Sequence, residues 1–307
     1  GKVKIKGRLF LAPMSNVTNL PFRLLCKKFG ASVVYSEMIN ADAYLMDSAK
    51  TKKRIFFLEE ERPIGVQMFG SNEEVLVYAA KKIEKELCPD IMDINIGCPA
   101  YDVMKTGAGA SLLCSPEKLG NLVKKLSASL NIPLTCKIRI LKDDDKTIEI
   151  ASIIERSGAS AISIHGRTAR QRYSGKANWE IIGKIKSKLT IPVILNGDVT
   201  DELSAKNAFT IGCDAIMVGR AAIGNPLLFS RIITYQASGK ILPLTSMEEN
   251  LLIFKEYIQL CKKYDYINIT SIKMQAQNFT KGFKGSKSIR EKIAGCKSLY
   301  ELEALLN

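Results

Sequence analysis

Histidine and tryptophan occur once each in the 307 residues, as His165 and Trp179. With one imidazole, and no Cys-x-x-Cys pair among the 8 cysteines, ligand-spaced zinc sites are missing and no metal is expected. The thiols stand singly, and a chain of this length with 46% hydrophobic residues can bury a core without disulfide staples. No apolar run reaches the roughly eighteen residues of a membrane span. The basic stretch Gly1–Arg8 leads straight into a strand-like segment without a signal-peptide apolar region. These absences predict a cytoplasmic protein that does not enter membranes. Acidic side chains are the minority, 31 against 45 Lys and Arg, which leaves a net charge of +14 and a pI near 9.3. Such a surface attracts polyanions, nucleic acid above all, although a lysine-rich coat that only maintains solubility has the same composition. No polybasic cluster beside an apolar segment favours anionic lipid.

What is present is an alternation. Short β-branched runs at Leu9–Leu11, Val33–Ser36, Ile64–Met68, Ile91–Asn95, Leu134–Ile138, Ala161–His165, Val193–Asn196 and Ala215–Val218 read as strands. Between them lie helical patterns at Pro21–Phe29, Glu73–Leu87, Pro116–Leu130, Lys146–Ser157, Trp179–Leu189 and Asp201–Thr210. Eight such units predict an α/β fold of the TIM (β/α)8 type rather than an open doubly wound sheet, because no Gly-x-Gly-x-x-Gly follows the first strand. Beyond about Ala237 the strand pattern stops, and Met247–Tyr264, Ile269–Lys281, Ser288–Ala294 and Ser298–Leu306 read as helices. The division expected is a barrel over residues 1–236 and a small basic helical domain over 237–307, with Lys273, Lys281, Lys284 and Arg290 among its candidate phosphate contacts.

Barrel enzymes work where strands end and βα loops begin. Here seven strand ends are polar: Ala12-Pro13-Met14, Gln67, Asn95-Ile96-Gly97-Cys98-Pro99, Lys137 with Arg139, His165-Gly166-Arg167, Asn196-Gly197-Asp198, and Gly219-Arg220. Gly197, Gly219 and Arg220, after strands seven and eight, suit a phosphorylated cofactor such as FMN. A lysine inside a barrel needs an anion or a polarisable ligand, so Lys137 suits the pyrimidine end of a flavin, with a structural salt bridge as the alternative. Gln67 is a candidate for the same ring edge, and Pro13 and Met14 for its lining. Cys98 lies off any apolar periodic face; a thiol is mostly protonated near neutrality and can act as general acid, although a lone cysteine can also be inert.

In this order the motifs resemble one family. Ala12-Pro13-Met14-Ser15-Asn16-Val17-Thr18-Asn19-Leu20-Pro21-Phe22-Arg23 is similar to the opening signature of tRNA-dihydrouridine synthases. So are Asn95–Pro99 followed by Gly107-Ala108-Gly109-Ala110, and His165-Gly166-Arg167-Thr168 with Tyr173, Gly175 and Trp179. Asn196-Gly197-Asp198 and Gly219-Arg220-Ala221 complete the set. The resemblance implies FMN held by Pro13, Met14, Ser15, Gln67, Lys137, His165, Asn196, Gly197, Asp198, Gly219 and Arg220. It implies Cys98 as proton donor, Asn95 on the target uracil, and Arg139 and Arg167 on substrate or phosphate. It further implies NADPH as reductant, with hydride going to C6 of a uridine and a proton to C5, and a C-terminal helical domain that grips tRNA. In that domain the family often carries a basic-basic-histidine run where this chain has Lys273-Met274-Gln275, while Lys281-Gly282 and Arg290 fit. A monomer is expected. The rivals are an FMN barrel of the dihydroorotate dehydrogenase type acting on a small molecule, and a non-catalytic RNA-binding barrel, which leaves Cys98, Lys137 and Gln67 without a role.

Overall fold

The structure, a computed structural model, describes residues 3–306. Eight parallel strands form its centre: β1 (Leu9–Leu11), β2 (Val34–Tyr35), β3 (Ile64–Phe69), β4 (Ile91–Ile96), β5 (Leu134–Arg139), β6 (Ala161–His165), β7 (Val193–Asn196) and β8 (Ala215–Val218). Each hydrogen-bonds its sequence neighbour from β3 to β8, β2 pairs β3, and β8 returns to β1 with Leu11 opposite Val218. The ring closes between β1 and β2 through a Phe10/Val33 bridge, in which the Leu11 amide donates to the Val33 carbonyl at 2.9 Å. A closed parallel ring with a helix after each stave is a TIM barrel, as the alternation predicts.

The helices form for local reasons. Glu73–Leu87 starts at Asn72, whose side chain accepts from the Glu74 and Val75 amides, has Glu73 and Glu74 in its first turn, and buries Leu76, Ala79, Ala80 and Ile83 on one stripe. Two short helices, Ala41–Leu45 and Ala49–Ile55, and a two-residue strand pairing of Ile39–Asn40 with Met68–Phe69 occupy the loop after β2. Sequence periodicity does not reveal these, since none is long enough to show a period. The eighth barrel helix, Leu228–Ser238, crosses the 236/237 line and ends at Gly239. Arg231 on it pairs with Glu202 at 2.6 Å and donates to the Leu242 and Pro243 carbonyls, which ties the following linker to the barrel.

Two apolar clusters result from the strand alternation. The larger lies between staves and helices, and the smaller fills the barrel interior with Phe10, Val33, Tyr35, Ile91, Ile194, Ala215 and Met217. The helices Met247–Lys263, Ile269–Phe279, Ser286–Gly295 and Leu299–Leu306 follow the barrel. They rest on the barrel through several contacts, among them Lys28 with Glu256 and the Tyr266 hydroxyl with the Lys53 carbonyl. Asn19 donates to the Tyr257 hydroxyl at 2.9 Å, and Gly224 lies flat against the backbone of Asn278 and Phe279. No helix among the described residues is long and apolar enough to cross a membrane.

Candidate active site at the barrel rim

Residues two apart on one stave face the same side, so each inward series ends in polar residues at the rim. On β4 it runs Ile91, Asp93, Asn95; on β5 Thr135, Lys137, Arg139; on β6 Ala161, Ser163, His165; on β7 Ile194, Asn196. Above the apolar plug, at the C-terminal ends of the strands, lies a cavity of ≈ 970 Å³. Its walls include Pro13, Met14, Ser15, Asn95, Cys98, Lys137, Arg139 and His165, and also Asn196, Gly197, Asp198, Gly219 and Arg220.

Lys137 is the cationic centre of the floor. Its Nζ donates to Asn196 Oδ1 at 3.0 Å, and Asn196 Nδ2 donates in turn to the Met217 carbonyl at 2.7 Å, which fixes which way that amide points. Burial, helped by Arg139, pulls the Lys137 ammonium down to about 8. His165 is held down to about 2, first by burial and then by the surrounding Lys137, Arg139, Arg167 and Arg220, so it is a neutral ring. Deeper still, burial pushes the Asp93 carboxyl up to about 6 against hydrogen bonds from Gln67 and Thr135 and the charge of Lys137.

The rim loops are clamped by buried arginines. Arg139 donates from Nε to the Gly97 carbonyl at 2.9 Å and from Nη1 to the Thr168 and Arg172 carbonyls, joining the Cys98 loop to the 168–173 segment. Arg167 is 3% exposed; its guanidinium is spent on Asp198 at 2.8 Å and on the Ser174 and Gly175 carbonyls. It therefore stands behind the wall and holds the Gly197–Asp198 turn. Gly197 has φ +111°, and a Cβ there would lie 2.8 Å from His165 Cδ2, so only glycine fits. Gln67 is also behind the wall: fully buried, it donates to Asp93 at 2.6 Å and accepts from Asn95 Nδ2 at 2.9 Å. One Nε2 proton and one Oε1 lone pair stay without a partner among the described residues.

The remaining candidates lie on the helical region. Lys273 is not a free cation, since its ammonium donates to the Ala294 and Cys296 carbonyls and closes the end of the Ser286–Gly295 helix. Arg290 is half-buried and donates to the Ser286 carbonyl at 3.3 Å, whereas Lys281 is exposed just past the helix end that touches Gly224.

Sequence reasoning missed part of the wall: Met38, Tyr101, Arg172, Thr200, Ala221 and Ile223. One signal was available, because the second strand also ends in polar residues, Ser36-Glu37, directly before Met38. Tyr173, read only as part of a motif, spreads an exposed ring at the mouth, with the Arg220 guanidinium 4.5 Å and that of Arg139 5.8 Å from its centre. Among the described residues no group of three or more His, Cys, Asp or Glu side chains is arranged to hold a metal ion.

A parallel barrel with a large pocket at its C-terminal rim, floored by a half-buried lysine and flanked by two glycine turns, defines a TIM-barrel enzyme. Comparison with known proteins narrows the class. The sequence matches the family described as Dihydrouridine synthase (Dus) over residues 10–307. It is 36% identical over 261 residues to tRNA-dihydrouridine synthase B of Pseudomonas aeruginosa, covering 84% of this chain and 78% of that one. It is 35% identical over 303 residues to a probable tRNA-dihydrouridine synthase of Aquifex aeolicus, covering 97% and 94%. It is 38% identical over 269 residues to the Rickettsia prowazekii counterpart, covering 86% and 82%. Among solved structures, a chain of the Amycolatopsis orientalis BexX/CysO complex shares the fold, with a TM-score of 0.52 at 17% identity over 80% of this chain and 97% of that one. This chain belongs to the dihydrouridine synthase family and is an oxidoreductase.

Proposed function

We propose that the protein reduces uridine to 5,6-dihydrouridine in tRNA, with FMN in the rim pocket, NADPH as reductant and Cys98 as proton donor. Family membership and the chemistry of the pocket support this reading. The decisive observation is Lys137: a half-buried ammonium facing the cavity, with three protons and one hydrogen-bond partner, Asn196, among the described residues. With only the Asp93 carboxylate below to offset it, a desolvated cation with unfilled donors is costly unless a further acceptor completes it, and the electron-rich pyrimidine edge of a flavin is such a partner.

The other residues fit the same group. Pro13, Met14 and Ser15 offer a flat wall. Gly197 and Gly219 admit close backbone approach, and Arg220, only 53% exposed and 3.9 Å from Asp198, keeps donors for a phosphate. Neutral His165 and Asn196 line the space between. When bound, FMN reduced by NADPH supplies the hydride that goes to C6 of the uracil. The chain's own part is to hold the base and to move one proton. Asn95 Nδ2, whose second contact is a 3.5 Å approach to Met38 Sδ, has a proton to offer a uracil carbonyl. Cys98 donates its S–H proton to C5, so that one hydride and one proton saturate the double bond. Lys137 and Arg139 face the thiolate left behind and offset its charge. Arg139 and Arg167 act chiefly by holding the rim loops, and the exposed Tyr173 ring suits stacking on a base turned out of its RNA.

In this reading the barrel, residues 1–236 plus the helix end at Ser238, carries the chemistry, and the helical region carries the RNA. Lys281 and its exposed neighbours contact phosphates, while Lys273 supports them from within; Arg290 contributes from its half-buried position. A small-molecule dehydrogenase has no use for that region. We read the protein as a monomer, and a tRNA substrate suits the cytoplasm. The test is direct: purified protein should be yellow, release FMN on denaturation, and form dihydrouridine in an unmodified tRNA transcript when NADPH is added. Colourless protein, or NADPH oxidation without change in the RNA, would refute the assignment.

A further inference from the structure

The geometry points to Asp93 as a positioning residue that sets the direction of a buried relay ending at the Cys98 backbone. This rests on the reading of Cys98 given above. Asp93 is 1% exposed, on β4, one inward step below Asn95. Its carboxylate accepts from Thr135 Oγ1 and from Gln67 Nε2, the latter at 2.6 Å. Gln67 Oε1 accepts from Asn95 Nδ2 at 2.9 Å, and Asn95 Oδ1 accepts from the Gly97 amide at 3.1 Å and the Cys98 amide at 2.8 Å.

Two side-chain amides in series can each be turned by 180°, so something must choose their sense. Both ends do so here. An ionised carboxylate only accepts, and a backbone N–H only donates. With Asp93 below and two N–H groups above, one orientation of Gln67 and one of Asn95 satisfies every link. Were the foot of the relay unable to accept, Gln67 would be free to turn; Asn95 would then lose its acceptor below and its grip on the Cys98 amide would loosen. Of the two ends, only Asp93 lies outside the cavity wall. Asp93 touches neither ligand nor thiol, and it acts through Gln67 and Asn95.

The test uses alkylation of Cys98 in the protein as isolated, read by mass mapping against the exposed Cys88 and Cys114. In Asp93→Ala the Cys98 rate relative to those references is expected to rise about fivefold, the shift that losing a hydrogen bond of about 1 kcal/mol produces. In Asp93→Asn the ratio is expected to stay near that of the parent, because an amide oriented by Thr135 Oγ1 still offers Gln67 an acceptor. Gln67→Leu cuts the next link and should raise the ratio as Asp93→Ala does, which keeps the test decisive if the alanine protein does not fold. An unchanged ratio in Gln67→Leu, or an equal rise in Asp93→Asn and Asp93→Ala, overturns the proposal. Because alkylation needs no turnover, it is decided separately from the RNA assay, whose failure would bear on the function instead.

Discussion

A thiol and an ammonium carry the proposed chemistry, and they make different demands. Cys98→Ala removes the S–H proton at the rim and alters little volume. Flavin content and reduction by NADPH should persist, while uridine reduction falls by a factor of about 100 or more, the usual worth of a positioned general acid. Stopped-flow traces of the two half-reactions separate these outcomes, and an unimpaired second half-reaction removes Cys98 from the mechanism. Lys137 makes a pH prediction. Burial lowers its pKa to about 8, so the free protein holds the positive charge below that value and loses it as pH rises through it. FMN affinity, followed by fluorescence quenching, should hold up to about pH 7.5 and weaken above about pH 8. Lys137→Met should bind weakly throughout and lack that bend; a bend that survives belongs to another group.

Among the elements, the contact between the loop after β8 and the helix Ile269–Phe279 is the most exacting. Gly224 has φ +70°, and a Cβ on it would meet Asn278 backbone atoms at 2.4 and 2.6 Å. Backbone cannot step aside as a side-chain tip can. Gly224→Ala should therefore cost about 2 kcal/mol or more in denaturant unfolding, combining left-handed strain with a forced separation. The flavin should stay bound, because the glycine turns at Gly197 and Gly219 are untouched; a Gly224→Ala protein of undiminished stability would mean that the helical region is not seated as described. Elements with a full period were the legible ones: Glu73–Leu87 and the strands Ala161–His165, Val193–Asn196 and Ala215–Val218 occur where the pattern predicts them. The five- and seven-residue helices after β2 left only their caps, Asn40 and Ser48, as a trace.

For the whole molecule the governing quantity is the charge of +14 and where it is free to act. Composition counts every lysine alike, but folding consumes some of them. Lys273 closes a helix, and Lys262 pairs with Glu303 at 2.6 Å. Lys281, Lys284 and Lys287 remain exposed around the turn that follows the helix seated on Gly224, beside Ile223 of the pocket wall. Neutralising those three should weaken tRNA binding and flatten the plot of log affinity against log salt by about 0.7–0.9 for each phosphate no longer neutralised. Lys273→Ala, by contrast, should lower the melting temperature first. An unchanged slope in the triple variant would move the RNA path elsewhere.

The sequence by itself determined the barrel, the polar character of its rim and the identities of Cys98, Lys137, Gly197 and Arg220, because strand period and strand-end polarity are local and survive without coordinates. Only the tertiary structure decided which polar residues face the cavity and which support it. Gln67 is anchored to Asp93 and Asn95, Arg167 to Asp198, and Lys273 to the end of a helix, none of which the linear order shows. Met38, Tyr101 and Thr200 reach the wall from loops with no period to read. A donor's availability depends on what lies within about 3 Å of it, and distance in space between residues far apart in sequence is what a linear pattern does not contain.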